Sequence, residues 1–156
     1  MDTRRSVAGD RHDRQAREAA KGELKFPPVL FDGRQAVSIA KGFREAAIEA
    51  RYKVHACAIL PEHVHMVLGW HERDIRQIVS HFKSKATMQM SRDGRHPLAS
   101  FEDESGAIPT PWARKSWEVF LFTADDLRRA IAYVENNPMK EGIPRQTWPF
   151  IQPFIH

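Results

Sequence analysis

The run Lys53-Val54-His55-Ala56-Cys57-Ala58-Ile59-Leu60-Pro61-Glu62-His63-Val64-His65-Met66-Val67-Leu68-Gly69 decides the fold class. Val54, Ala56, Ala58 and Leu60 alternate with Lys53, His55, Cys57 and Ile59, the period of a strand with two distinct faces. Pro61-Glu62 makes a tight connection. The residues that follow are β-branched and apolar enough to return as a second strand, with His63, His65 and Val67 on one face and Val64, Met66 and Leu68 on the other. A β-hairpin over residues 53–60 and 63–69 is therefore expected.

On either side of the hairpin the apolar spacing becomes helical. After the Pro27-Pro28 break and the turn signal Asp32-Gly33, apolar Val37, Ala40, Phe43, Ala47 and Ile48 predict a helix over 34–51 with one buried face. Ile75, Ile78, Val79, Phe82 and Ala86 predict a second over 72–90, whose Arg73, Arg76, Lys83 and Lys85 lie away from the stripe. Gly94, Pro97, Gly106, Pro109 and Pro111 mark residues 91–113 as a long loop. A short strand is expected at 118–122. Thr123-x-x-Asp126 then opens a helix over 124–137 as a capping box, with Leu127, Ala130, Ile131 and Val134 as its buried stripe. Pro138 ends or bends that helix, and the apolar Trp148-Pro149-Phe150 packs back onto the body. No internal repeat is visible. Residues 1–25 read as a polar, flexible arm, and residues 26–156 as a single domain.

At 156 residues, 42% hydrophobic and 28% charged, the chain has the composition of one soluble globular domain. Its longest apolar runs fall far short of the roughly 20 residues a membrane helix needs, so no membrane association is expected. The opening residues lack the apolar stretch of a signal peptide. Lys+Arg 24 against Asp+Glu 20 leaves a formal +4, which permits contact with phosphates but does not require it. The lone Cys57 rules out an internal disulfide and fits a reducing cytoplasm, so any metal must be held by His, Asn, Gln, Asp or Glu.

Two clusters carry possible chemistry. On a strand, the His-x-His spacing of His63 and His65 points both imidazoles to one side, roughly 6–7 Å apart along the chain, close enough to converge on one ion. Two polar residues on an exposed hairpin face would show the same spacing. On the last helix, Tyr133 and Asn137 stand one turn apart, on a side displaced from the Leu127, Ala130, Ile131, Val134 stripe. A tyrosine covering the core edge and an asparagine finishing the helix fit as well. Only Tyr52 and Tyr133 are available to a tyrosine mechanism.

Taken together, Leu60-Pro61-Glu62-His63-Val64-His65 resembles the HUH motif of single-tyrosine insertion-sequence transposases. Tyr133-Val134-Glu135-Asn136-Asn137-Pro138-Met139-Lys140-Glu141-Gly142 resembles the nucleophile helix of their REP-associated branch. The order and separation of the motifs agree with that family, as do the aromatic signals at Trp112, Trp117 and Trp148-Pro149-Phe150. The likeness runs from Tyr52 to Phe150, about two thirds of the chain. It implies an α+β, ferredoxin-like fold, an antiparallel sheet with packed helices. The family opens with a strand rich in Thr, Phe and Tyr, which residues 1–30 do not supply, so that first strand is missing or diverged.

The same resemblance implies a metal-dependent transposase that cleaves and rejoins hairpin-flanked single-stranded DNA. His63, His65 and Asn137 match the positions that hold a divalent cation, Mg²⁺ or Mn²⁺, although imidazoles also accept Zn²⁺. Tyr133 matches the nucleophile, which would form a 5′-phosphotyrosine and leave a 3′-hydroxyl. The covalent link conserves the phosphodiester energy, so no ATP-binding Gly-rich loop is needed, and none is found. Arg73, Arg76, Lys83 and Lys85 are candidates for binding nucleic-acid phosphates, and Trp112, Trp117 or Trp148 for stacking on unpaired bases. A homodimer suits excision of a segment with two ends, though some members act as monomers. The expected location is cytoplasmic, at the nucleoid. A domesticated nucleic-acid-binding module without turnover and a water-using phosphodiesterase that needs no Tyr133 are the two alternatives.

Overall fold

The computed structural model describes residues 26–112 and 123–155. The arm at 1–25, the strand expected at 118–122 and Trp117 lie outside them. The described elements are α1 (Gly33–Ala50), β1 (Val54–Ile59), β2 (Val64–Leu68), α2 (Ile75–Arg92), a single 3₁₀ turn (Ala99–Phe101) and α3 (Ala124–Lys140). Among the described residues this is a small α+β arrangement, three helices around a two-stranded antiparallel sheet.

The hairpin forms as its alternation requires, with Ala58 opposite His65 and Ile59 opposite Val64. Its turn is closed by the Leu60 N–H donating to the His63 carbonyl at 2.9 Å, and the preceding segment ties it down through Phe31 N–H to the Pro61 carbonyl at 2.8 Å. One departure from strict alternation changes the faces. The register shifts between Val54 and Ala56, so His55 is an extra residue in β1, a β-bulge. Beyond it the side chains switch sides. Val54 therefore joins Cys57 and Ile59 in one core cluster, while Ala56, Ala58 and Leu60 belong to the other. Placing Val54 with Ala56 from strict alternation is corrected accordingly.

The first face of the sheet is covered by α1 and α2, through Ile39, Phe43, Ile78, Phe82 and Met90. Here too the sequence reading needs a correction. Val37 and Ile48, expected in the core, are 43% and 62% exposed, whereas Ala36, Ile39 and Ala46 are buried. The buried face of α1 is turned toward its small residues because α2 crosses closely over Gly42. A Cβ on that glycine would lie 2.5 Å from the Lys85 carbonyl oxygen and 2.6 Å from the Ala86 Cα. Hydrophobicity alone gives a glycine no weight, although closeness of approach depends on it. Asp32, read as part of a turn, caps α1: its carboxylate accepts the Gln35 N–H while the Gln35 side chain accepts the Asp32 N–H.

The second face is covered by α3, whose Leu127, Ala130, Ile131 and Val134 pack on Ala56, Ala58, Leu60 and Val67. The two alanines leave room for the helix to lie close to the strand. Thr123 caps α3 by accepting the Asp126 N–H at 3.0 Å, and Asp125 and Asp126 sit in the first turn. Pro138 does not end the helix, which runs on to Lys140. A proline ring displaces the carbonyl four residues back and leaves it without an N–H partner, yet Pro138 is buried almost completely, so packing holds the extra turn.

The C-terminal tail packs back as expected, with Trp148, Phe150 and Ile151 against the first cluster. It also lines the outer edge of β1. Ile151 forms a parallel bridge with Val54, and Gln152 N–H donates to the Val54 carbonyl at 2.7 Å. No described helix is long and apolar enough to cross a membrane.

Candidate active site

His65 lies in β2 and His63 immediately precedes the strand, two residues away, so the extended chain turns both toward α3. Their rings meet edge to face with centroids 4.4 Å apart, and the two Nε2 atoms lie 2.7 Å from each other, one donating its proton to the other's lone pair. The His65 ring in turn meets the Tyr133 ring, 5.9 Å between centroids at 81°. Strand pleat, the small Ala58 opposite His65 and the α3 stripe thus bring together three side chains that the sequence holds about seventy residues apart.

Tyr133 and Asn137 do share one side of α3, but that side is not left outside the core. Tyr133 is half-buried against the second cluster, and Asn137 is buried, 7% exposed. The helix sinks into the sheet over a wider arc than its apolar stripe, because Ala56 and Ala58 present no bulk.

The donor set fits a divalent cation. Two nitrogens at about 2.1 Å from one ion, at right angles, would be about 3 Å apart, so the 2.7 Å pair needs to open by only a few tenths of an ångström. Among the described residues no group of three or more His, Cys, Asp or Glu side chains is placed to hold an ion. Among the described residues a third ligand would be an amide, with water or a phosphate oxygen beside it.

The structure does not bring the four basic candidates to this site. α2 packs on the opposite face of the sheet from His63 and His65. Arg73 donates to the Tyr52 hydroxyl at 3.0 Å and lies over that ring. Arg76 is exposed, its backbone N–H held by Asp74. Lys83 is partly buried, and that burial pulls its ammonium below the ordinary lysine value. Lys85 bridges to α1, 2.7 Å from Glu49 and 3.5 Å from Glu45. Its hydrogen bond to Glu49 raises the ammonium and lowers the carboxyl. Of the tryptophans, Trp112 donates to Thr87 and packs on Phe31 and Phe43, and Trp148 packs into the core. Trp70, which the sequence reading passed over, is 88% exposed.

Lys140 was also missed. Its ammonium lies 5.0 Å from the centroid of the Tyr133 ring, a position it reaches because α3 continues past Pro138. The signal for it was the helical spacing of seven from Tyr133, hidden by reading the proline as a stop. Tyr52 is buried, its hydroxyl hydrogen-bonded to His81 Nδ1 at 2.7 Å on the far layer.

No family model matches the chain, and no solved structure matches it. The chain is similar to a Haemophilus influenzae protein named "Putative REP-associated tyrosine transposase", 23% identical over 147 residues, which covers 86% of this chain and 81% of that protein.

Proposed function

We propose that the chain is a metal-dependent transposase or endonuclease acting on single-stranded DNA flanked by hairpins, within a ferredoxin-like fold. The observation that carries this reading is the contact of His65, itself paired with His63, with Tyr133 across the sheet–helix interface. The similarity to a protein named as a REP-associated tyrosine transposase supports it.

In this reading His63, His65 and Asn137 would hold Mg²⁺ or Mn²⁺, which when bound would polarise the scissile phosphate and offset its growing charge. The Tyr133 hydroxyl oxygen attacks phosphorus. A tyrosine–phosphorus bond forms and the bond from phosphorus to the 3′ oxygen breaks, its electron pair leaving on that oxygen. The phenolic proton is released and the 3′ oxygen takes one up, so charge and protons balance. The product is a 5′-phosphotyrosine, and reversal by another 3′-hydroxyl rejoins DNA without ATP. The packing of Tyr133 against His65 and the second cluster restricts the ring, which would lower the entropy cost of reaching the attack geometry. Arg73, Arg76, Lys83 and Lys85, on the other layer, would contact DNA only away from the cleaved linkage. A homodimer would supply two such sites for the two ends.

The test is incubation with a single-stranded hairpin oligonucleotide from DNA flanking the gene, with Mn²⁺ or Mg²⁺. A protein–DNA adduct that survives denaturant is expected, and chelation should abolish it. DNA binding without cleavage across a panel of such hairpins would favour the binding module instead.

A further inference from the structure

α3 carries a third polar side chain to the nucleophile. Seven residues beyond Tyr133, two helical turns on, Lys140 places its ammonium 5.0 Å from the tyrosine ring centroid. It makes no ion pair or hydrogen bond among the described residues. Lys85, by contrast, is engaged by two carboxylates. Lys140 is exposed, so its charge faces the solvent from which a substrate would arrive. Gly142, with φ of 75°, reverses the chain immediately afterwards.

We propose that Lys140 is a further catalytic residue, whose ammonium contacts a non-bridging oxygen of the phosphate attacked by Tyr133. This rests on the tyrosine transesterification proposed above. Negative charge accumulates on the non-bridging oxygens as the tyrosine–phosphorus bond forms before the 3′ oxygen has left, and a cation held beside the nucleophile stabilises that state more than the ground state. The ammonium is a compact charge on a flexible stem, able to move the short distance from ring face to phosphate while Tyr133 stays packed. Asn137, one turn below on the same side of α3, is the buried counterpart of this exposed cation. A lysine in the last helical turn also complements the helix dipole, a purely structural role that the test has to separate.

The test uses the full chain with the hairpin oligonucleotide and Mn²⁺, in wild type, Lys140→Met and Lys140→Arg. Adduct formation at saturating DNA should fall on the order of 10- to 100-fold in Lys140→Met and recover most of that in Lys140→Arg, with the melting temperature unchanged. A second oligonucleotide carries a neutral methylphosphonate at the mapped cleavage position. Wild type should bind it on the order of 10-fold more weakly than the phosphate form, and Lys140→Met should show a clearly smaller difference, the remainder being the contact with the metal. Equal adduct rates in wild type and Lys140→Met, or equal sensitivity to the methylphosphonate, would overturn the assignment of Lys140 while leaving the tyrosine mechanism intact. Failure of wild type itself to form an adduct would overturn that mechanism, and this inference with it.

Discussion

Gln146 lies along the outer edge of β1 in the place of a strand: its side-chain oxygen accepts the Ile59 N–H and its side-chain nitrogen donates to the Ile59 carbonyl, each at 2.8 Å. One amide side chain thus satisfies both backbone groups of the residue before the Leu60–His63 turn. Together with the Ile151 bridge to Val54, it means the tail closes both ends of an otherwise open edge. Gln146→Ala should leave both Ile59 groups to water and destabilise the protein by about 1–3 kcal/mol. Because Ile59 is opposite Val64, the same change should loosen the turn that sets His63. Weaker Mn²⁺ binding by calorimetry, beyond the loss seen in an equally destabilised variant elsewhere, checks this.

The α1–α2 crossing makes a second, purely structural prediction. Gly42 faces the α2 backbone so closely that a methyl group would overlap Lys85 and Ala86 main-chain atoms, which cannot rotate away. Gly42→Ala should therefore cost about 1–3 kcal/mol despite its better helix propensity, which favours it by only about 1 kcal/mol. Urea unfolding decides it, and a gain in stability would show that the helices separate more easily than this crossing implies.

Ser38 and Asp93 join the same two helices at their other end. The buried Ser38 hydroxyl donates to Asp93 at 2.6 Å, and this bond, with a second from Gln89, holds the Asp93 carboxyl below its ordinary value. A lowered folded-state value means the stabilisation is complete above the unfolded carboxylate pKa, about 3.9, and is lost as pH falls through the folded one. Ser38→Ala should consequently be less stable than wild type at pH 7, and the gap should narrow below about pH 4. Unfolding measured at both pH values checks the sign. A gap that widens in acid would contradict it.

The hairpin and the helices were legible in the sequence because their periodicity is a direct consequence of burying one face. His63 and His65 fell on a common face for the same reason, since β2 keeps its alternation unbroken. What escaped were features decided by tertiary contact. The bulge at His55 flips Val54 to the other cluster without a local signal, and Gly42 rotates the buried side of α1 away from Val37 and Ile48. Pro138 reads as a stop because local energetics disfavour it, yet burial carries the helix to Lys140. The burial of Asn137 follows from how α3 seats on the sheet, which no window around the asparagine contains. Sequence spacing could set Tyr133 near Asn137 but could not set Tyr133 against His65.

Substitution of His63 or His65 should separate metal from DNA. Either Ala variant should lose Mn²⁺ binding and abolish cleavage, while affinity for the hairpin oligonucleotide changes little, because phosphate contacts elsewhere supply most of it. Each removal also takes away one partner of the 2.7 Å ring pair, so a modest stability change is expected. Undiminished nicking by both variants with metal present would remove the metal proposal.

The two tyrosines give the sharpest contrast, because the structure puts them on opposite sides of the sheet with opposite commitments. Tyr52 is 3% exposed, and its hydroxyl joins His81 Nδ1 at 2.7 Å and Arg73 at 3.0 Å. Tyr52→Phe leaves both groups short of a partner and should cost about 1–3 kcal/mol, yet it lies on the α2 layer and should retain the covalent adduct. Tyr133→Phe keeps the ring that packs on His65 and the second cluster, so the fold should change little in stability. The hydroxyl it loses is the proposed nucleophile, and the adduct should vanish. Thermal melts and denaturing gels on the same preparations give both readouts at once. Loss of the adduct in Tyr52→Phe at a temperature where it is folded would move the nucleophile to the other layer, and cleavage without any adduct in wild type would favour attack by water. An adduct that persists in Tyr133→Phe would leave the contact between His65 and Tyr133 a matter of packing alone.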